Sequence, residues 1–278
     1  MTETQSGKLF SLYYRLDILG MKVRGLLPQF SWRDIALMMR SSSNRWPAEK
    51  LVTQKQVTGE IALYDTPIGP IGHRASSFDA KILGLLVLEE MRGTYEHGSV
   101  GVQAGDVVID LGANVGTFTR FALSRGAHKI IAFEPEPLHI SILKLGFADE
   151  IKTGRLVIIE AGAGAEKATL RFHSAGLVSC FDDAGEIEVP VVTVDSVVQE
   201  LGLTRVDFIK ADIEGAERHA LKGALQTIKR FGPRMALCIY HLPDDPDVIT
   251  SVVQAIRTYT VATNRSGAQA FFQIPPGA

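Results

Sequence analysis

The segment Val107-Val108-Ile109-Asp110-Leu111-Gly112-Ala113-Asn114-Val115-Gly116-Thr117 runs from a β-branched apolar stretch, through a glycine-bearing loop, into residues suited to a helix. Apolar runs of the same kind recur at Ile130-Ile131-Ala132-Phe133, Leu156-Val157-Ile158-Ile159, Val206-Asp207-Phe208-Ile209 and Met235-Ala236-Leu237-Cys238-Ile239. Between most of them lie helical segments, at Thr117 to Ser124, Leu138 to Phe147, Asp195 to Leu201 and Ala216 to Arg230, the last stopped by Gly232-Pro233. Strands separated by helices in this way predict an α/β fold with a mostly parallel central sheet and helices on both faces. The span from Ala168 to Val194 has no clear helix. Alternation in Thr169 to His173 and in Ile187-Glu188-Val189 predicts an inserted strand pair there.

The first 60 residues read differently. Leu9 to Leu27 carries apolar residues at roughly helical spacing, broken at Gly20, Gly25 and Pro28, and Ile35 to Met39 predicts a further short helix. Gly59 to Gly72, punctuated by Pro67, Gly69 and Pro70, reads as short strands and turns. The expected organisation is an N-terminal helical extension over residues 1–60, serving as a lid or a homo-oligomer contact, and a main domain over 61–278 whose motifs fall within 105–241.

With 278 residues, 46% of them hydrophobic and 22% charged, the chain can bury a substantial core. Its 29 Lys and Arg against 31 Asp and Glu leave a net charge of -2, so nothing global attracts nucleic acid or an anionic membrane, and a small molecule is the expected partner. Cys180 and Cys238 lie 58 positions apart without a CxxC, which argues against a structural zinc site and for a reduced, cytoplasmic protein. The longest apolar run in the first hundred residues, Ile82 to Leu88, falls far short of the ~20 residues a membrane helix needs. The N-terminus lacks the pattern of a signal peptide.

In an open α/β sheet, ligands bind outside the carboxyl ends of the strands, so the loop after the first strand is informative. Asp110-Leu111-Gly112-Ala113-Asn114-Val115-Gly116 does not fit a dinucleotide fingerprint: Asn114 stands where the second glycine of G-x-G-x-x-G belongs, and the next glycine comes one position early. A carboxylate at Asp110 repels a pyrophosphate and attracts an ammonium group. The second strand ends in Phe133-Glu134-Pro135, and Glu134, 24 positions beyond Asp110, is placed to accept hydrogen bonds from a ribose diol. A ligand with a ribose, a cationic amino-acid tail and no phosphate is S-adenosylmethionine. The plainer alternative is a tight strand-to-helix turn with Glu134 as a solvated helix cap.

Three motifs, Asp110-Leu-Gly-Ala-Asn-Val-Gly116, Phe133-Glu-Pro-Glu-Pro137 and Val206-Asp-Phe-Ile-Lys-Ala-Asp-Ile-Glu-Gly-Ala-Glu217, the last followed by Leu221-Lys-Gly-Ala224, resemble the FkbM family of S-adenosylmethionine-dependent methyltransferases. The resemblance covers Gly105 to His241 and weakens beyond. It implies a Rossmann-like class I methyltransferase fold and, for most members, O-methylation of a sugar or natural-product hydroxyl. The cofactor-binding residues then expected are Asp110, Gly112, Ala113, Asn114, Gly116, Thr117 and Phe118 in the first loop and helix, Glu134 and Pro135 after the second strand, Ala161 and Gly162 after the third, and Asp212 after the fourth. In Glu160-Ala-Gly-Ala-Gly-Ala165 the small residues allow an adenine close to the backbone. Family members commonly carry an Asn near Glu160 and an acid near Ala165, and this sequence departs at both places.

Along the fourth strand, alternation places Phe208, Lys210 and Asp212 on one side. A lysine in a doubly covered strand needs a partner, and Asp212, two positions on, is the nearest in sequence. Asp212 and Glu214 stand at the strand's carboxyl end, whereas Glu217 reads as a helix-start charge favoured by the macrodipole. Methyl transfer to a hydroxyl releases a proton and calls for a base. Glu214, Asp212 and His241, which follows the fifth strand and matches a His the family often carries, are the candidates, with Lys210 a further member of the catalytic set. Asp212, Glu214 and His241 could instead hold a divalent cation. Phe172, His173 and Cys180 of the insert are candidates for an acceptor pocket. A nicotinamide oxidoreductase and a binding protein without turnover are the rival readings.

Overall fold

In the computed structural model, which describes residues 15–41, 46–173, 180–181, 184–264 and 266–275, each of the five predicted apolar runs becomes a strand of one sheet. The chain divides into two compact units, Met1–Thr94 and Tyr95–Ala278.

The first unit contains helix α1 (15–23), α2 (Trp32–Arg40), a short 3-10 turn, strands β1 (Thr53–Thr58), β2 (Ile61–Asp65) and β3 (Ile71–Arg74), and helix α3 (Ser77–Met91). Helix α2 starts with a capping box, in which Ser31 accepts from the Asp34 amide while the Asp34 carboxylate accepts from the Ser31 amide. The three strands pair antiparallel in the order β1-β2-β3. The division expected at residue 60 therefore falls inside the β1–β2 hairpin, whose strands are paired from Thr58↔Ile61 outward, and the compact unit continues to Thr94. The short strands expected over Gly59 to Gly72 correspond to β2 and the start of β3, whereas β1, inside the stretch read as a helical extension, was not expected. Residues 9–14 of the expected first helix lie outside the described residues.

The second unit carries strands β4 (Val107–Leu111), β5 (Lys129–Phe133), β6 (Leu156–Ile159), β11 (Phe208–Ala211), β12 (Arg234–Cys238), β13 (Thr260–Thr263) and β14 (Gln269–Gln273) in the order β13-β14-β12-β11-β4-β5-β6. The five from β12 to β6 are parallel, and β13 and β14 add antiparallel. This C-terminal hairpin has no counterpart in the sequence reading. Helices α4 (Thr117–Ser124), α5 (Pro137–Gly146), α6 (Ala148–Lys152), α7 (Val194–Glu200) and α10 (Asp245–Ile256) supply the crossovers, together with α8 (Glu217–Lys222) and α9 (Leu225–Phe231). The long helix expected over Ala216 to Arg230 is thus two. They part at Gly223, where an added Cβ would collide with the carbonyl of Gly164. A longer side chain would prevent the chain from packing that closely.

The expected insert is present and larger than a pair. Strands β7 (Gly162–Ala163), β8 (Ala168–His173), β9 (Cys180–Phe181) and β10 (Ile187–Val192) form a separate four-stranded sheet, with β8 and β10 antiparallel from Ala168↔Val191 to Phe172↔Ile187. Buried apolar residues from β4, β5, β11 and β12 form the core with those of α7 to α10. No helix among the described residues is long and apolar enough to cross a membrane.

Candidate active site

Strand β4 is followed outward by β5 and β6 on one side and has β11 and β12 on the other, so the order of connection reverses between β4 and β11. A crevice opens at such a reversal, outside the strands' carboxyl ends. The loops that meet there are 112–116, 134–136 and 212–216. Gly112 (φ 80°) must be glycine on two counts: its backbone is left-handed, and a Cβ would strike the Asp212 carbonyl. Gly112→Ala is expected to cost about 1–3 kcal/mol of unfolding free energy, read in urea melts; wild-type stability would contradict this close approach.

Asn114 and Glu214 are the two non-glycine residues with positive φ among the described residues, at 52° and 53°, and they line the same cleft. Backbone strain of this kind concentrates at functional sites. The Asn114 amide donates to Glu134 Oε2 at 2.7 Å and the Glu136 amide to Oε1 at 2.9 Å. The Glu134 carboxylate, only 5% exposed, is thereby fixed with a lone pair left on each oxygen for two further donors. Gly112, Phe133, Pro135, Gly162 and Asp212 share the cleft wall with them, as do His139, Phe172 and Phe181.

Several expected contact residues lie behind that wall. Asp110 is fully buried, accepts from Thr119 Oγ1 at 2.7 Å, and lies 3.2 Å from the ammonium of Lys210. The ion pair of Lys210 is with Asp110, its register partner on the neighbouring strand, a pairing that the two-residue spacing to Asp212 did not indicate. Lys210 also donates to the carbonyls of Leu111 (3.2 Å) and Gly112 (2.7 Å), beneath the loop, with the rings of Tyr95 and Phe118 beside it. Asp110 and Lys210 therefore support the loop from below. Ala113, Thr117, Phe118 and Ala161 are buried and absent from the cleft lining, as is Gly116, the left-handed N-cap of α4.

On the other side of the cleft, Asp212 accepts from Tyr95 Oη at 2.7 Å, and His241 lies against three carboxylates. Its Nε2 is 3.6 Å from Asp212 Oδ1 and 3.4 Å from Glu214 Oε2, and its Nδ1 is 3.0 Å from Glu217 Oε1. Glu217, at the first position of α8, is fully buried and accepts from the amides of Ile213 (2.9 Å) and Gly215 (3.1 Å). One carboxylate thus closes the loop that presents Glu214. Beyond being a helix-start charge, Glu217 is part of the site.

Burial raises the Glu214 carboxyl above its ordinary range, reinforced by Asp212 and Glu217 and opposed by His241 and Lys210. For His241, burial works against the charge, but the carboxylates of Glu217, Asp212 and Glu214 outweigh it and raise the imidazole above its usual value. Among the described residues, Asp212, Glu217 and His241 bring one potential ligand atom each to within 4.8 Å of the others. Glu217 takes the place expected for Glu214. Of the insert residues, Phe172 lines the cleft, His173 pairs with Glu186 on the surface, and the Cys180 side chain lies outside the described residues.

Residues 110–260 match the methyltransferase FkbM domain, from Asp110 of β4 through the strand-end carboxylates and His241. The chain belongs to the FkbM-domain methyltransferases. Similar proteins include the 31-O-demethyl-FK506 methyltransferase FkbM of Streptomyces tacrolimicus, 29% identical over 58% of this chain and 74% of its own length. The hexuronic acid methyltransferase AglP of Haloferax volcanii is 22% identical over 57% of this chain and 65% of its own. The crystal structure of methyltransferase FkbM from Methylobacillus flagellatus KT superposes with a TM-score of 0.52 at 20% identity, covering 71% of this chain and 55% of that one. The fold is that of class I S-adenosylmethionine-dependent methyltransferases.

Within this FkbM-domain site, His139, Tyr95 and the second role of Glu217 were not found from sequence. His139 lies one turn into α5 with Nδ1 3.5 Å from both Glu134 and Glu136. Its spacing of three from Glu136, on a helix whose start was predicted, was the available signal. Tyr95 reaches Asp212 across 117 positions, which no local pattern encodes.

Proposed function

We propose that the chain transfers a methyl group from S-adenosylmethionine to a hydroxyl of a small natural product or sugar, with Glu214 as general base. The observation that carries this reading is Glu214: a carboxylate raised by burial, held in a left-handed conformation at the cleft rim, 3.4 Å from His241. The cleft residues fit the cofactor. Glu134 offers two fixed acceptor oxygens to a ribose, and Gly112 and Gly162 present no side chain in the cleft wall.

Bound S-adenosylmethionine supplies a sulfonium-activated methyl group. Glu214 accepts the hydroxyl proton as the new O–C bond forms and the C–S bond breaks, so the products are the methyl ether and S-adenosylhomocysteine. His241 positions Glu214, while Glu217 holds His241 and the 213–215 amides in place. The oxygen specificity printed in the Streptomyces relative's name supports oxygen as the target.

Calorimetric titration with S-adenosylmethionine, S-adenosylhomocysteine and NADH tests the cofactor half. Micromolar binding of the first two is expected, weakened about tenfold or more in Glu134→Ala, as loss of a charged hydrogen bond of ~1.5–3 kcal/mol implies. Binding of NADH alone would sink the reading. A second reading, divalent-cation-assisted transfer, rests on the ligand atoms of Asp212, Glu217 and His241. Full activity after exhaustive chelation would remove it.

A further inference from the structure

Beside the cofactor cleft lies a second cavity of about 340 Å³. Its walls come from the insert and from the start of α8: Ala163, Ala168, Leu170, Phe181, Val191 and Ala216. The two cavities share Ala163, Phe181 and Glu214, so the proposed base stands at their junction. A methyl donor on one side and a hydroxyl on the other would meet there.

The chemistry of the lining selects among hydroxyl compounds. Leu170 is a large apolar side chain, 43% exposed, that projects from β8 into this concavity. Alanine, valine and phenylalanine supply most of the remaining wall, which favours a ligand with apolar surface to bury. The acidic groups are Glu166 and Glu214, the basic one is His219, and no Lys or Arg is among the described lining residues. A carboxylated sugar would meet two carboxylates without a strong cation to receive it. Its several hydroxyls would also face alkyl groups in place of hydrogen-bond partners.

We infer that this cavity is the acceptor subsite and that it takes a neutral alcohol with an apolar body, in preference to a uronic acid. The inference rests on the methyltransferase reading above.

Saturation-transfer NMR on the protein loaded with S-adenosylhomocysteine, using menthol, borneol and glucuronate as probes, tests it. Menthol and borneol are expected to receive saturation and glucuronate none. Two variants place the contact in the cavity: Ala168→Trp fills it, and Leu170→Arg removes apolar wall and adds a cation. Each is expected to weaken menthol about tenfold or more, with S-adenosylhomocysteine affinity unchanged, and Leu170→Arg is expected to gain glucuronate. Glucuronate bound by the wild type in place of menthol, menthol unbound, or menthol bound equally by both variants would overturn the assignment. Failure of the wild type to bind S-adenosylhomocysteine would be read separately, by calorimetry, and would overturn the underlying methyltransferase reading.

Discussion

Lys210→Met is expected to lower the unfolding free energy by about 3–5 kcal/mol, because it strips the partner from a fully buried Asp110. The lysine lies on β11 opposite Asp110 of β4, and its ammonium also serves the Leu111 and Gly112 carbonyls. Methionine matches its length and supplies none of those donors. Urea denaturation of the variant, of Asp110→Leu and of the double variant reads the coupling directly. The double variant is expected to recover much of the loss, since an apolar pair of similar volume carries no stranded charge. A single-variant cost under about 1 kcal/mol would show that the pair does not support the loop.

The second large effect is catalytic. Glu214→Gln is expected to lower kcat about 10²–10⁴-fold while leaving cofactor affinity within a few-fold of wild type, since it removes a proton acceptor and little else. Burial raises Glu214 above its ordinary 4.5, so its protonated form persists to higher pH than in a free carboxyl. Only the ionised form is a base. The wild-type rate is therefore expected to rise with pH through an ionisation above 4.5, and this limb is expected to vanish in Glu214→Gln. An unchanged limb would assign the proton transfer to another group.

His241 acts on stability with the opposite sense. Its value in the folded protein is raised above 6.5, so the imidazolium's stabilising contact with Glu217 is fully present below 6.5 and is lost as pH rises through the raised value. Thermal melts across that window are expected to show a decline in Tm that His241→Asn flattens.

The β-branched runs at 107–109 and 130–133 were readable as strands because a doubly covered parallel strand needs a continuous apolar sequence, and helix α4 began and ended where predicted, at Thr117 and Ser124. Glu134, Asp212, Glu214 and His241 could be placed near one another because each follows the carboxyl end of a strand in the same parallel sheet. Lys210–Asp110 could not, since that pair depends on β11 lying beside β4, a matter of strand order. The clamp formed by Glu217 was hidden because its carboxylate turns back on amides two and four positions earlier, whereas its place at the start of a helix read as a charge favoured by the macrodipole. The β13–β14 hairpin escaped because β13 lies at the sheet edge, mostly exposed, and lacks an apolar run.

The four-stranded insert stands apart from the seven-stranded sheet in its hydrogen bonding. Substitutions on β8 can therefore accumulate without unsettling the strands that hold Asp110, Glu134 and Asp212. The 212–217 loop has no such freedom, because a single side chain there is both fastener and counter-charge. Directed evolution of acceptor scope should accordingly find its tolerated changes on β8, around Ala168 and Leu170, and almost none between Asp212 and Glu217.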